Sequence, residues 1–389
     1  MLILKADLSA LGVFNQIYAV YVIFSQFAVL AINDSVQQSV SLSHDNKKKV
    51  ELVKISGLLL SSISGVIVVT VLFFSAYWIG IFLDSHSVGE GLKLASLGLF
   101  FFSLNKVMLG GLNGQRKINI YSIIQIMRSV AILAFITLVV TNQWSAYMLG
   151  AAFTFSEVVI FFPLVISNFC PKITLPDFDV LFKQIFRHLK FGFKAFPNAL
   201  LAEAYLKIDI LMLSLFLSDK QVGIYSFAAL FFEGICQIPV MIRTNVNPIL
   251  VKFFLKNDVG AFKKFRQKIM VFSFSITLIA LVLINLCFPF LAYFFNDNLI
   301  DHSSKVLIVL SIGLIFYSVF LPFDYSFIQI GKPEIQSFAM LGNIIVAIST
   351  NFFLIPHFGI IGAAIATSLT LLFAGLVLTV LFRVHRPFG

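Results

Sequence analysis

The sequence has little charge. Asp, Glu, Lys and Arg make up only 12% of its 389 residues, against roughly 25% in soluble domains. Its three cysteines, Cys170, Cys236 and Cys287, are scattered, which argues against a disulfide framework or a Cys-based metal site and suggests inert packing residues. There is no phosphate-binding loop, nucleophile elbow or H-E-x-x-H motif, so no recognisable enzyme signature is present and no cofactor is expected. The "PDFD" stretch at 176–179 has a D-x-D spacing that some enzymes use for divalent metals, but two carboxylates in a polar segment are commonplace. All six histidines, at 44, 86, 188, 302, 357 and 385, fall in loops or at the ends of apolar runs. A histidine relay through a membrane is therefore not expected, and a proton-coupled step would fall to carboxylates. The opening "MLILKADLSALG" is too short for a signal h-region and lacks a basic n-region, so no cleavage is expected there.

What fills the sequence is apolar. Hydrophobic residues reach 59%, and phenylalanine alone accounts for 46 positions. A membrane-spanning helix needs about 20 mostly apolar residues. Eleven segments qualify, at approximately 13–33, 55–83, 91–112, 119–141, 144–166, 190–217, 222–250, 268–296, 305–330, 334–356 and 359–382. They are far longer than the roughly 10-residue alternating strands of a membrane barrel. The fold class is an all-α polytopic membrane protein.

The net charge of +10 does not point to nucleic acid, because the cations alternate between loops. One set of connections holds Lys47, Lys48, Lys49, Lys54, Arg116, Lys117, Lys172, Lys183, Arg187, Lys190, Lys194, Lys252, Lys256, Lys263, Lys264, Arg266, Lys268 and Lys332, with Arg383 and Arg386 in the tail. The intervening loops hold Lys93, Lys220 and Lys305. The positive-inside rule makes the first set, and the carboxyl terminus, cytoplasmic.

An internal repeat is also legible. Gly12 and Phe14 match Gly223 and Tyr225, "GQRKINIYSII" from Gly114 resembles "GKPEIQSFAML" from Gly331, and the Gly-Ala-Ala unit at Gly150 recurs at Gly362. The second half holds six spans and the first five, so an initial helix is expected to be missing from the repeat. An even number of spans per repeat makes the two halves parallel. The expected organisation is a five-helix lobe over 1–166, a cytoplasmic linker over 167–189 and a six-helix lobe over 190–389. The small residues at Gly150, Ala151, Ala152, Gly362, Ala363, Ala364, Ala366 and Thr367 read as close helix packing.

Nine ionisable residues fall inside the spans: Lys106, Arg128, Lys207 and Arg243, with Glu157, Glu203, Asp209, Glu233 and Asp324. A charge at mid-bilayer costs at least about 2.5 kcal/mol on insertion scales, so such residues face an interior or a water-filled cavity. The four cations are candidate ligands for an anionic substrate. The five carboxylates are candidates for ion coupling. Glu203 and Lys207 lie one turn apart and also read as a mutually neutralising pair; Arg243 also reads as a residue that snorkels to the surface. Pro197, Pro239 and Pro248 mark bending points in the sixth and seventh spans.

The segments "KIDILMLSLFLSDKQVGIYSFAALFFEGICQIPVMI" from Lys207 and "GKPEIQSFAMLGNIIVAISTNFFLIPHFGIIGAAIAT" from Gly331 resemble the polysaccharide flippases of the O-antigen, Wzx type. These belong to the multidrug/oligosaccharidyl-lipid/polysaccharide exporter superfamily, whose members typically have twelve helices in two six-helix lobes. The resemblance implies a MATE-like plan with the first helix missing. It also implies movement of an undecaprenyl-diphosphate-linked oligosaccharide, in lipopolysaccharide biosynthesis, across the bacterial inner membrane, with membrane lipid and other polysaccharide assembly proteins as partners. Two alternatives stay open. One is a cation-coupled multidrug antiporter of the same superfamily; the other is a membrane-embedded polymerase or glycosyltransferase, which would need a larger polar loop than any expected here.

Overall fold

The computed structural model describes residues 8–43, 46–169, 178–256, 259–295, 297–329 and 332–385. Cys170, Pro176 and Asp177 of the "PDFD" stretch, Gly331 and the first seven residues lie outside them.

The described chain is helical throughout. In order it forms α1 (Leu8–Val29), α2 (Ile32–Leu42), α3 (Lys47–Phe82), α4 (His86–Gly114), α5 (Ile118–Thr141), α6 (Ala151–Phe169), α7 (Phe178–Phe216), α8 (Asp219–Lys256), α9 (Val259–Cys287), α10 (Asp297–Tyr317), α11 (Ser326–Gln329) and α12 (Pro333–His385). Short 3-10 turns at Ala146–Gly150, Phe288–Tyr293 and Leu321–Phe323 interrupt the order. Helix starts follow local chemistry: the Asn46 side chain caps the Lys49 N–H and the Ser85 hydroxyl caps that of Val88, satisfying amides that a helix leaves free.

Among the described residues, nine helical segments are long and apolar enough to cross a membrane. One of them, Glu334–Val384, divides at Gly359, whose φ of 58° is a conformation only glycine adopts freely. That break separates the expected tenth and eleventh spans. The expected sixth span lies in α7, where Lys190, Lys194, Glu203, Lys207 and Asp209 make the helix too polar to qualify on composition.

The chain separates into two compact units, Met1–Ala204 and Tyr205–Gly389. In the first, small residues bring backbones together where larger ones would collide. A methyl added at Gly98 would lie 2.9 Å from the Thr154 Cα, and one at Gly150 would strike the Gly91 carbonyl. Buried Ile32, Val36, Val50, Val53, Leu60 and Val107 join α2, α3 and α4. In the second unit, a methyl added at Gly313 would meet the Ser368 Cα at 2.6 Å, fixing α10 against α12. Val246, Leu250, Phe262, Phe323, Phe327 and Leu378 form a core there. Large apolar side chains also point outward, as in Ile63, Ile67, Val71, Phe74 and Trp78 along α3. A membrane supplies the partner for such a face, since lipid is as apolar as these side chains.

Residues 178–189, expected in the linker, form the first turns of α7. His188 shows why: it is fully buried, with Nδ1 2.8 Å from the Ser35 hydroxyl and Nε2 3.1 Å from that of Ser56. Gln184 adds a contact at 3.3 Å. Burial pushes the imidazole down to about 4, because the charged form is desolvated. A histidine expected at a loop is thus a neutral hub joining three helices.

Candidate functional site

In the first unit the polar residues of α4, α5 and α6 converge. Lys106 and Arg128 flank the Phe102 ring, with the ammonium 5.3 Å and the guanidinium carbon 5.5 Å from its centroid, an arrangement in which the ring face attracts both cations. Phe102 is held edge-on by Tyr21 at 5.9 Å, and Tyr21 stacks on Phe153 at 4.9 Å. Arg128 is neutralised: its Nε lies 2.9 Å from Glu157 Oε1, its Nη2 donates to Oε2 at 3.3 Å, and Nη1 donates to Gln125 at 3.0 Å. Asn105 completes the carboxylate environment, donating at 2.8 Å both to Glu157 Oε2 and to the Glu157 backbone carbonyl.

Lys106 is different. No carboxylate among the described residues lies within ion-pair distance of it; Glu203 and Asp34 act on it only through the longer-range field. The cluster therefore presents two cations against one paired carboxylate, and an anion can be met at Lys106 by charge-assisted hydrogen bonds. Lys106 sits eight residues from the end of α4, about 12 Å along its axis, on the side the positive-inside pattern assigns to the cytoplasm.

The second unit holds three polar groups. Arg243 Nη1 donates to both oxygens of Asp324, at 3.1 and 3.0 Å, and its guanidinium lies 4.2 Å over the Tyr325 ring. Tyr317 donates to the same carboxylate at 3.4 Å. Asp324 stands at the break between α10 and α11, directly after the Leu321–Phe323 turn. Arg243 and Asp324, assigned to different roles from sequence, are thus one ion pair. Lys207 Nζ lies 3.7 Å from Glu233 Oε1, so these two residues meet as well.

Asp209 is held by neutral donors. Thr367 donates to Oδ2 at 2.7 Å, Tyr225 to Oδ2 at 3.3 Å and Asn351 to Oδ1 at 3.2 Å. No cation among the described residues pairs with it. Sequence reasoning missed Asn105, Asn351 and Tyr225 as members of these sites and took Thr367 as packing alone. The available signal was an asparagine in the middle of an apolar span, which is as conspicuous in lipid as a charge.

The fold is that of a polytopic helical membrane protein with two compact units. The sequence model of the family described as "Polysaccharide biosynthesis protein" matches residues 8–254, and the chain belongs to that family. A second family model, MatE, matches residues 198–353. The chain is 23% identical over 295 residues to the "Putative O-antigen transporter" of Shigella flexneri, covering 75% of this chain and 69% of that protein. Among solved structures it is similar to an inward-facing multidrug resistance MATE family transporter, with TM-score 0.78, 17% identity, and coverage of 98% and 92% of the two chains. It is also similar to the lipid II flippase MurJ in an inward closed conformation, with TM-score 0.71, 18% identity, and coverage of 98% and 87%. At these identities the structures speak for the fold, and the MATE-like plan expected from sequence is the one observed.

Proposed function

We propose that the protein is a flippase that moves an undecaprenyl-diphosphate-linked oligosaccharide, an O-antigen or related repeat unit, from the cytoplasmic to the periplasmic leaflet of a bacterial inner membrane. The observation that carries this reading is Lys106: a spanning-helix cation beside Phe102 and Arg128, with no ion-pair partner among the described residues. A diphosphate cannot cross about 30 Å of hydrocarbon unaided, and a cation with no carboxylate in ion-pair range among the described residues is suited to hold it. Arg128, drawn against Glu157 and 5.5 Å from the centroid of the same ring, is the second candidate ligand; Lys207 and Arg243, each beside a carboxylate, are weaker ones. Family membership and the relative named for O-antigen transport support the same substrate class. The basic loops and the carboxyl terminus would then be cytoplasmic, and the two units would expose the substrate site to each leaflet in turn.

Asp209 is the proposed ion-coupling carboxylate. A buried carboxylate ringed by Thr367, Asn351 and Tyr225 has neutral hydrogen-bond donors but no cation partner among the described residues. It can exchange a proton or a small cation with solvent as the cycle proceeds. Glu157 and Asp324 are occupied by arginines and are less available; Glu203 and Glu233 lie near Lys106 and Lys207.

A second reading, cation-coupled multidrug export, has the likeness to the MATE transporter and the buried Asp209 in its favour. Deleting the gene separates the two. A flippase defect leaves finished lipid-linked repeat units on the cytoplasmic leaflet and removes surface polysaccharide. An exporter defect leaves the polysaccharide intact and raises sensitivity to toxic cations. Finished units on the periplasmic side of the deletion strain would end the flippase reading.

A further inference from the structure

The first four turns of α7 carry a face that none of the transport chemistry uses. Phe178, Phe182, Phe186 and Phe193 are 75%, 62%, 63% and 67% exposed. At 100° per residue they fall within about 80° of the helix circumference, and Lys183, Arg187, Lys190 and Lys194 occupy an arc of about 60° that begins about 40° further round. All four cations are exposed, and none has an ion-pair partner among the described residues. The remaining face is fixed to the first unit by His188, Gln184 and Gly192: the histidine bonds Ser35 and Ser56, and a methyl at Gly192 would press on the Leu30 carbonyl at 2.5 Å. Rotation of the helix is therefore set, and with it the direction in which the phenylalanines point.

Neither water nor the bilayer core suits this segment. Four exposed phenylalanines in one stripe make an apolar patch that soluble surfaces avoid. Four unpaired cations beside them exclude the hydrocarbon interior. Length gives the same answer: α7 has 39 residues, and about 20 suffice to span a bilayer, so its first turns lie beyond the core. An apolar stripe bordered by a cationic one is the pattern of a helix seated at the membrane–water boundary.

We propose that residues 178–194 form a lipid-reading anchor, with the phenylalanine stripe in the acyl boundary and Lys183, Arg187, Lys190 and Lys194 on the phosphates of anionic bilayer lipids. The cationic stripe supplies the complementarity, because each cation near an anionic surface favours association by about fivefold. Since His188 couples this segment to α2 and α3, the anchor holds the first unit at a defined depth.

The test uses the full-length chain, freed of its three native cysteines and labelled with a dye at Phe186→Cys, in lipid nanodiscs. Discs contain phosphatidylcholine alone or with about a third phosphatidylglycerol. The anchor predicts strong quenching by lipids brominated high on the acyl chain and weak quenching by aqueous iodide. Iodide access should rise several-fold in the anionic discs when Lys183, Arg187, Lys190 and Lys194 are all changed to Gln, and change little in phosphatidylcholine. Iodide quenching of the unsubstituted chain in both discs would overturn the proposal. So would lipid quenching indifferent to phosphatidylglycerol and to the four substitutions, which leaves an apolar foot without charge recognition. Shielding from both quenchers that grows with protein density would assign the face to a second copy of the chain and also overturn it.

Discussion

Removing Glu157 while keeping Arg128 should be among the most damaging single changes in the first unit. Glu157 is 3% exposed, and its carboxylate receives Arg128 at 2.9 and 3.3 Å and Asn105 at 2.8 Å. Glu157→Gln leaves a guanidinium in the span with only neutral amide oxygens, that of the introduced side chain and that of Gln125, as acceptors and no counter-charge, and stranding one partner of a buried pair costs about 3–5 kcal/mol. The double change Arg128→Met, Glu157→Leu behaves differently. Removing two desolvated charges gains about 1–4 kcal/mol, while Asn105 loses its side-chain partner at about 1–3 kcal/mol and keeps the backbone carbonyl. The two terms nearly cancel, so the double variant should lie within about 2 kcal/mol of the parent. Unfolding free energies of the full chain in bicelles, measured by steric trapping, check both numbers. Glu157→Gln as stable as the parent would refute the reasoning, because Arg128 would then be solvated without its carboxylate. Transport adds the functional half: a stable double variant that still transports at the parental rate removes Arg128 from the substrate site.

Three further outcomes follow from the geometry. His188 is held near 4 in the fold against 6.5 ordinarily, so the unfolded chain takes up the proton first. Stability should be complete above pH 6.5 and fall by up to about 3 kcal/mol as pH drops toward 4, a loss that His188→Gln should flatten in pH-dependent unfolding. Gly98→Ala, which aims a methyl at the Thr154 backbone 2.9 Å away, should cost about 1–3 kcal/mol despite the gain in helix propensity. Gly234→Ala, with nothing within 4 Å, should stabilise by up to about 1 kcal/mol; equal effects in a thermal-shift comparison would discredit the close-packing account. Asp209→Asn keeps the hydrogen-bonding shape but removes the charge, so transport should become insensitive to proton and sodium gradients while the protein stays folded. Unchanged gradient dependence would move coupling to another carboxylate.

Much of this was readable before the structure because lipid makes the penalties large. Apolar length located the helices, and the glycine repeat anticipated tight contacts at Gly150 and Gly362. Arg128 meets Glu157, Arg243 meets Asp324 and Lys207 meets Glu233, while Asp209 is held by neutral donors. What could not be read was partnership. Arg128 and Glu157 are 29 residues apart and Arg243 and Asp324 are 81 apart, and periodicity within one helix says nothing about which face of another it meets. Lys207 lies beside Glu233 on α8, a pairing hidden from an analysis of one helix at a time. The linker expectation rested on Pro171, Pro176 and the mixed charge of the segment, and the contacts of His188 with Ser35 and Ser56, which pack the start of α7 against α2 and α3, join residues too distant in sequence to be read from it. Thr367 looked like one more small residue, because its hydroxyl matters only once Asp209 is beside it.

The central claim is that the free Lys106 receives a diphosphate headgroup during translocation. The direct measurement is leaflet exchange of a fluorescent polyprenyl-diphosphate oligosaccharide in proteoliposomes holding the purified full-length chain, with Lys106→Gln compared against the parent at equal reconstitution. The account predicts protein-dependent exchange that falls at least about tenfold in Lys106→Gln, equivalent to losing one charge-assisted contact, with thermal stability retained. Exchange at the parental rate in the variant, or none by the parent under an imposed ion gradient, would contradict it.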